Sequence, residues 1–319
     1  MIRLATALAA LALAASSAHA QPYPNRPIKI IVPTPAGGPV DVVARIVANA
    51  LTKTLGQPVV VDNRAGAGNT LGSKEAANAA PDGYTLHYSS VSGLVLAPML
   101  QKNAGYDGSS FEPIALVAQS TNMLVVHPSV PAKTVKELVD YAKASPGKVN
   151  FSSGGVGVLP HLIGEWFKAR AGIDVVHVPY RGGGPSINGL VAGDVQYTFE
   201  GTSVLAPLVE AGRLRALATI NPERVREMPN LPTMIESGFP RFSSVSWTGL
   251  LAPLKTPPEI VDKLNAAVNE AAKTPEFKQA LDKLGAEVVG GPPQVLGEMI
   301  KGDTERWTPI IKSLKLELN

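Results

Sequence analysis

Two glycine-rich segments of the sequence have the composition of anion-binding loops. Segment 33–41 (PTPAGGPVD) joins a predicted strand to a predicted helix, and segment 150–161 (NFSSGGVGVLPH) repeats this arrangement in the second half of the chain. The free N–H groups and the dipole at a helix start attract anions, so a carboxylate suits either loop. Each segment alone is explained equally well as a tight turn. Two such loops in two halves favour a ligand-binding cleft.

The residue types inside these loops support that interpretation. Gly37 and Gly38 allow the backbone to approach a ligand closely, and Asp41 can order the loop by accepting hydrogen bonds from its N–H groups. The second loop contributes two hydroxyls, on Ser152 and Ser153, and three glycines. Both loops therefore offer hydrogen-bonding groups without bulky side chains.

A third strand-to-helix loop, 178–184 (VPYRGGG), has a more ambiguous character. Tyr180 either lines a cleft or covers the end of a sheet, and Arg181 either pairs with an anion or is solvated. The loop is a candidate only in combination with the other two.

Catalytic chemistry has weaker support. Ser153 and His161 lie around one loop-to-helix junction, which leaves a secreted serine hydrolase as the enzyme alternative. The chain has no G-x-S-x-G elbow, and no acid is placed to orient the histidine as acyl transfer requires. Segment 66–72 (GAGNTLG) is one residue too long for a dinucleotide fingerprint. We therefore expect a protein that is not an enzyme and has no cofactor.

Metal ligands are also sparse. The histidines at 87, 127, 161 and 177 lack the spacing of a metal site, and the chain contains no cysteine. Neither a dedicated metal site nor a disulfide is expected.

The composition is that of a globular chain long enough for two domains. It has 319 residues, of which 45% are hydrophobic and 17% charged, and the basic residues behind the net charge of +3 are scattered. Scattered charge gives no support to nucleic-acid binding. The slight positive balance fits an anionic ligand, but solubility explains it equally well.

The N-terminus has the features of a secretory signal peptide. Arg3 precedes an apolar run over 4–15, and Ala18-His19-Ala20 forms an A-x-A cleavage pattern. The run is about half of the roughly 20 residues that a membrane-spanning helix needs. We expect segment 1–20 to be cleaved off after Ala20 and the mature protein to reside in the periplasm.

From residue 27 onwards the apolar pattern alternates between strand and helix periods. Strands are predicted at 28–32, 59–61, 84–89, 112–118, 123–127, 150–152, 175–178, 196–199 and 242–252, and helices at 40–51, 69–79, 134–144, 160–171, 203–211, 257–273, 275–284 and 293–312. Thr134 and Glu137 form a predicted capping box, and 221–232 is Pro-rich and irregular. The alternation predicts parallel sheets flanked by helices.

Longer motifs are spread over the whole mature chain. Besides loop 33–41 they are YP at 23–24 with PI at 27–28, NRAGAG at 63–68, APDGYTL at 80–86, HVPYRG at 177–182 and WTGLLAP at 247–253. In combination they resemble the Bug-type receptors of the Bordetella uptake gene family, the extracytoplasmic components of tripartite tricarboxylate transporters. Each motif alone is weak, whereas the set is specific.

The resemblance implies an α/β, two-lobed type II periplasmic binding protein fold with a ligand cleft between the lobes. The first lobe is expected to combine 23–123 with 245–319, and the second to span 124–244. The implied function is capture of a small organic acid for integral membrane transporter subunits, without catalysis. A monomer is the default expectation for the chain. Delivery of the ligand to a signalling partner is the alternative use of the same fold.

The resemblance also places the loops at 35–38 and 152–157 on opposite sides of the cleft, with Ser90 and Glu200 near the ligand on neighbouring strand ends. The ligand-binding residues expected on this basis are Pro35, Ala36, Gly37, Gly38, Asp41, Ser90, Ser152, Ser153, Gly154, Gly157, Tyr180 and Glu200. The sequence departs from the family pattern at Thr34, where an aromatic residue is usual, and at 158–160 (VLP), where Ser and Thr are usual. These departures favour a less polar acid than citrate.

Overall fold

The computed structural model describes residues 23–226 and 228–316. The expected signal peptide and its cleavage site lie outside the described residues. No helix in the described part is long and apolar enough to cross a membrane. The elements, in chain order, are β1 (Ile28–Val32), α1 (Pro39–Leu55), β2 (Val59–Asn63), α2 (Thr70–Ala77), β3 (Thr85–Ser90), a π-helical turn (Ser92–Leu96), α3 (Ala97–Leu100), β4 (Phe111–Ser120), β5 (Asn122–Val126), α4 (Val135–Ala144), β6 (Val149–Ser153), α5 (Leu159–Ala171), β7 (Val175–Pro179), α6 (Gly183–Ala192), β8 (Tyr197–Gly201), α7 (Thr202–Glu210), β9 (Arg215–Thr219), β10 (Ser246–Pro253), α8 (Pro258–Lys273), α9 (Pro275–Asp282), β11 (Glu287–Val288) and α10 (Pro293–Leu314).

Six strands form the first sheet, in the order β11-β4-β10-β3-β1-β2. β1 pairs in parallel with β2 and β3, whereas β10 runs antiparallel to β3 and β4. The aliphatic run of β1 suits a strand that is covered on both faces. α1 buries Val43, Val47 and Leu51 on one side and ends at Gly56, whose φ of 69° is the left-handed conformation that glycine adopts readily.

Five strands form the second sheet, in the order β7-β6-β8-β5-β9. β6 is parallel to β7 and β8, whereas β5 is antiparallel to β8 and β9. Aromatic rings fill the core on one face of this sheet, where Phe151 stacks on Tyr197 with ring centroids 5.5 Å apart. Their large apolar area fills this face of the sheet, and the same buried cluster continues from Trp166 to Trp307 on α10, with ring centroids 5.7 Å apart.

The chain passes between the sheets twice. It leaves the first sheet between β4 and β5 and returns at the start of β10, so the first sheet is built from two separate stretches of chain. Asn122 Nδ2 donates a hydrogen bond to Ser246 Oγ over 2.7 Å, which ties the two crossings side by side. β5 begins two residues before the lobe boundary expected at 123/124.

The structure confirms most predicted elements and corrects the predicted sheets. Both sheets are mixed and not parallel, because β5, β10 and β11 run antiparallel to their neighbours. Strands β9 and β11 and the helical segment 92–100 were not predicted. β10 begins at Ser246 instead of residue 242, because the N–H of Ser244 bonds to the carbonyl of Ile220 outside the sheet.

The predicted capping box at α4 is only half formed. Thr134 Oγ1 accepts a hydrogen bond from the N–H of Glu137, as expected. The carboxylate of Glu137 accepts from the N–H of Lys133, however, and not from that of Thr134. The carboxylate of Glu137 therefore accepts a hydrogen bond from the residue that precedes the N-cap residue, and not from the N-cap residue itself.

Candidate ligand cavity

A cavity of about 460 Å³ lies between the two sheets, where β3, β8 and β10 end or begin. The first-sheet elements contribute the start of α1, the end of β3, the start of β10 and segment 283–286. The second-sheet elements contribute Leu159, Pro160, Glu200, Gly201, Ser203 and Val204. A bound molecule of this size would touch both halves of the protein.

Three helices begin at this cavity, namely α1, α5 and α7. Their N-cap residues are Gly38, Val158 and Gly201, and none of these caps its helix with a side chain. The positive ends of three helix dipoles therefore converge without a capping oxygen from their own N-cap residues. Such an arrangement favours an anion.

Two larger cavities, of about 750 and 730 Å³, open beside α10. The second of these also receives helix starts, at Pro258 and Pro293. Its lining carries more acids than bases, however, with three carboxylates and two lysines, namely Glu112, Asp262, Glu298, Lys255 and Lys301. Neither cavity is lined by a described residue of the second sheet. The smaller cavity between the sheets is therefore the better candidate for an anionic ligand.

Asp41 organises the first loop, as the sequence predicted. Its Oδ2 accepts hydrogen bonds from the N–H of Gly37 over 2.7 Å and from Arg45 Nε over 3.0 Å. Its Oδ1 accepts from Asn63 Nδ2 over 2.9 Å. Burial alone would raise the pKa of Asp41, but the hydrogen bonds from Arg45, Gly37 and Asn63 outweigh it, so the pKa lies below its ordinary value. The loop is held by a carboxylate that stays ionised.

The second loop rests on a buried network. Ser153 Oγ donates to the carbonyl of Gly155 and lies 2.7 Å from His177 Nε2. His161 Nδ1 accepts from the N–H of Gly157 over 3.1 Å. Ser153 and His161, the pair considered for hydrolysis, thus each have a different partner, and the Ser153 side chain is buried. These residues fix the shape of the loop.

The remaining residues expected near the ligand also pack within the second half. Ser152 is fully buried and its hydroxyl accepts from Ser186 Oγ over 2.9 Å. Gly154 lies so close to the backbone of Gly183 that a β-carbon would come within 2.9 Å of its nitrogen. Tyr180 packs against Gly189, where a β-carbon would overlap its ring.

The two walls of the cavity touch each other at two points. The N–H of Leu159, at the start of α5, donates to Ser92 Oγ over 3.2 Å. Gly285, after α9, approaches Ser203 so closely that a β-carbon on Gly285 would overlap the β-carbon of Ser203. The structure therefore represents a conformation in which the walls have closed on each other.

Three of the residues expected from the sequence line the cavity: Gly37, Ser90 and Glu200. The other nine lie behind the lining or elsewhere in the three loops: Pro35, Ala36, Gly38, Asp41, Ser152, Ser153, Gly154, Gly157 and Tyr180.

Several lining residues were not predicted to bind a ligand, among them Ser92, Trp247, Thr248 and Lys283. Trp247 and Thr248 belong to the family motif at 247–253 but had no predicted place in the site. Trp247 is held in place by its indole N–H, which donates to Asp303 Oδ2 over 2.6 Å. Trp247, Thr248 and Lys283 reach the cavity because β10 and the segment after α9 return to the first sheet. Ser92 reaches it directly, because it follows β3.

Comparison with known proteins decides the family. Residues 43–316 match the model of the tripartite tricarboxylate transporter family receptor, TctC. The chain belongs to this family. Its members are solute-binding receptors and not enzymes, in agreement with the absence of predicted catalytic chemistry.

Curated relatives extend over nearly the whole chain. A UPF0065 protein in the tcbD-tcbE intergenic region of Pseudomonas sp. (strain P51) is 38% identical over 315 residues, covering 97% of this chain and 94% of that protein. BugT of Bordetella pertussis is 36% identical over 309 residues, covering 95% of this chain and 94% of BugT. The resemblance to Bug receptors is confirmed.

Solved structures confirm the two-lobed periplasmic binding protein fold. The periplasmic binding protein BugD has a TM-score of 0.80 and 35% identity, covering 92% of this chain and 99% of BugD. Rpa4515 of R. palustris, solved with adipate, has a TM-score of 0.82 and 31% identity, covering 92% of this chain and 99% of Rpa4515. MatC (Rpa3494) of Rhodopseudomonas palustris, with bound malate, has a TM-score of 0.80 and 33% identity, covering 91% of this chain and 100% of MatC.

Proposed function

We propose that this TctC-family chain is a periplasmic receptor that captures a small organic acid between two lobes, 23–123 with 245–319 and 124–244. The observation that carries this proposal is the convergence of three helix starts on one cavity between the sheets, where none of the three helices is capped by the side chain of its own N-cap residue. Helix starts bind carboxylates through N–H groups and the helix dipole. Adipate and malate in two solved neighbours support an acid as the ligand.

The residues behind the lining have a supporting part in this proposal. Asp41, Ser152 and Ser153 hold the two glycine-rich loops in shape, so that their backbones face the ligand. Pro35, Ala36, Gly38, Gly154, Gly157 and Tyr180 belong to the same loops and shape their backbones from behind the lining. Gly37, Ser90 and Glu200 contact it directly.

The proposed ligand has a substantial apolar part. Val40, Val91, Leu159, Val204 and Trp247 line the cavity, and apolar side chains dominate its surface. Their burial against a ligand contributes about 25 cal/mol per Å². A citrate-like molecule, polar on all sides, would leave this surface unused, so a mono- or dicarboxylate with a hydrocarbon body fits better.

A thermal-shift screen of the mature protein tests the function. Mono-, di- and tricarboxylates are compared with their uncharged primary amides, which have nearly the same shape. We expect at least one acid, and none of the amides, to raise the melting temperature in a concentration-dependent way, because a ligand that binds only the native state stabilises it. No rise for any acid, or turnover of esters or amides, would reject the receptor function.

In this proposal the receptor acts as a monomer and passes its ligand to integral membrane subunits of the transporter. Light scattering after gel filtration is expected to give the mass of one chain, with and without ligand. Uptake of the same acid by cells that contain the receptor, and its loss when the receptor gene is deleted, separates transport from sensing.

A further inference from the structure

Charge is distributed asymmetrically around the cavity between the sheets. Of the described residues that line it, Glu200 is the only carboxylic acid and Lys283 is the only base. Glu200 lies near the end of β8 in the second sheet, whereas Lys283 follows α9 on the first-sheet side. The cavity thus has one wall with a carboxyl group and an opposite wall with an ammonium group.

The carboxyl group of Glu200 has an oxygen without a partner. Its Oε1 is inaccessible to solvent and forms no hydrogen bond. The neighbouring start of α6 consists of glycines, and a β-carbon on Gly183 would lie 3.5 Å from Glu200 Oε2, so no side chain fills this side. A buried polar atom without a partner is unfavourable unless a ligand supplies the missing group.

The pKa of Glu200 is consistent with a buried carboxyl group that has an unpartnered oxygen. Burial raises the pKa of its carboxyl group to about 7, although the backbone N–H of Gly201 lowers it in part. No charged neighbour contributes to this shift. The group is therefore poised to lose its proton when a hydrogen-bond donor arrives.

We propose that Glu200 accepts a hydrogen bond from a hydroxyl or ammonium group of the ligand, at the end remote from a carboxylate that lies toward Lys283 and α1. This inference rests on the proposed function. It narrows the ligand class from mono- and dicarboxylates with a hydrocarbon body to hydroxy acids and amino acids whose two polar groups lie at opposite ends of that body. A dicarboxylate would place its second carboxylate against Glu200. An acid without a donor would leave Oε1 unpartnered.

Acids of one length that differ at a single end group test the proposal. One series is pentanoate, 5-hydroxypentanoate, 5-aminopentanoate and glutarate, and the other is benzoate, 4-hydroxybenzoate and terephthalate. Calorimetry on the mature protein should show that the members with a hydroxyl or ammonium group bind about tenfold or more tightly than the other members of their series. If the wider screen selects another acid, it is compared with its analogue that lacks the donor.

Two variants and one control assign the selectivity to Glu200. In Glu200→Gln the neutral amide can donate to a second carboxylate, so the preference over the dicarboxylate should shrink to within about threefold. Lys283→Gln should weaken all members of a series together. Glu165→Gln replaces another partly buried carboxyl, on α5 outside the cavity lining, and should leave the selectivity unchanged.

The results separate the two proposals. If acids bind but the end group has no effect, or if Glu200→Gln keeps the full preference, the role of Glu200 is wrong and the receptor function stands. If no acid binds at all, the receptor function itself fails.

Discussion

The backbone N–H of Leu159 donates a hydrogen bond to Ser92 Oγ over 3.2 Å. Leu159 opens α5 on the second-sheet wall of the cavity, and Ser92 follows β3 on the opposite wall. Val158, the N-cap residue of α5, has no side-chain oxygen, so a hydroxyl from the other wall satisfies this N–H instead. Closure of the cavity is therefore coupled to the capping of a helix.

Replacing Ser92 with alanine should weaken ligand binding and leave the fold intact. The variant removes a hydrogen bond that only the closed cavity makes, and such a bond contributes about 0.5–1.5 kcal/mol. The dissociation constant of the acid chosen in the screen should therefore rise about 2- to 10-fold. Calorimetry measures the change. Ser313→Ala, which removes a hydroxyl bonded to the carbonyl of Ile310 on α10, serves as the control, and equal affinities in the two variants would contradict the prediction.

Replacing Gly285 with alanine should prevent full closure. The new β-carbon would overlap Ser203 across the cavity, so ligand affinity should fall at least tenfold although Gly285 is not among the residues that line the cavity. Small-angle scattering should show a smaller ligand-induced compaction than in the unmodified protein.

Gly212 provides a matched control for this variant. Its φ of 69° is close to the 61° of Gly285, but a β-carbon there would meet nothing within 4 Å. Both substitutions carry the same cost of a left-handed alanine, about 1 kcal/mol. Equal loss of affinity in both variants would show that backbone strain, and not contact between the walls, is responsible.

The sequence predicted the first loop well because its information is local. Asp41 lies four residues after Gly37, and the expected hydrogen bond between its carboxylate and the loop N–H is present at 2.7 Å. Lys283 and Trp247 could not be predicted in this way, since they reach the cavity only through the return of the chain to the first sheet. β9 was not predicted because it begins with a charged residue, Arg215. In the structure the guanidinium group of Arg215 donates hydrogen bonds to the carbonyls of Val130 and Ala132, which allows the charged residue to lie in a strand.

Glu200 should make the unliganded protein less stable as pH rises. Burial raises the pKa of its carboxyl group from 4.5 to about 7, so the native state holds its proton over a range where the unfolded state has lost it. Stability relative to Glu200→Gln should therefore be constant below about pH 4.5 and fall between about pH 4.5 and 7. Urea unfolding of both proteins at pH 5 and pH 8 measures the difference. If the difference in the free energy of unfolding between the two proteins does not change with pH, the raised pKa of Glu200 is wrong.

His161 and His177 should limit the stability of the second lobe in acid. Their rings lie 4.1 Å apart. Burial lowers the pKa of His161 to about 4, and burial together with the charge of His161 lowers the pKa of His177 to about 3. Below pH 6.5 the two histidines bind protons in the unfolded state but stay neutral in the native state, so the free energy of unfolding falls as pH falls from about 6.5 toward 3.

This loss of stability should be smaller in His177→Asn than in the unmodified protein, as measured by urea unfolding at pH 7 and pH 5. Ser313→Ala, which changes no ionisable group, should keep the original pH dependence. The same loss of stability in His177→Asn would exclude the histidine pair as its cause.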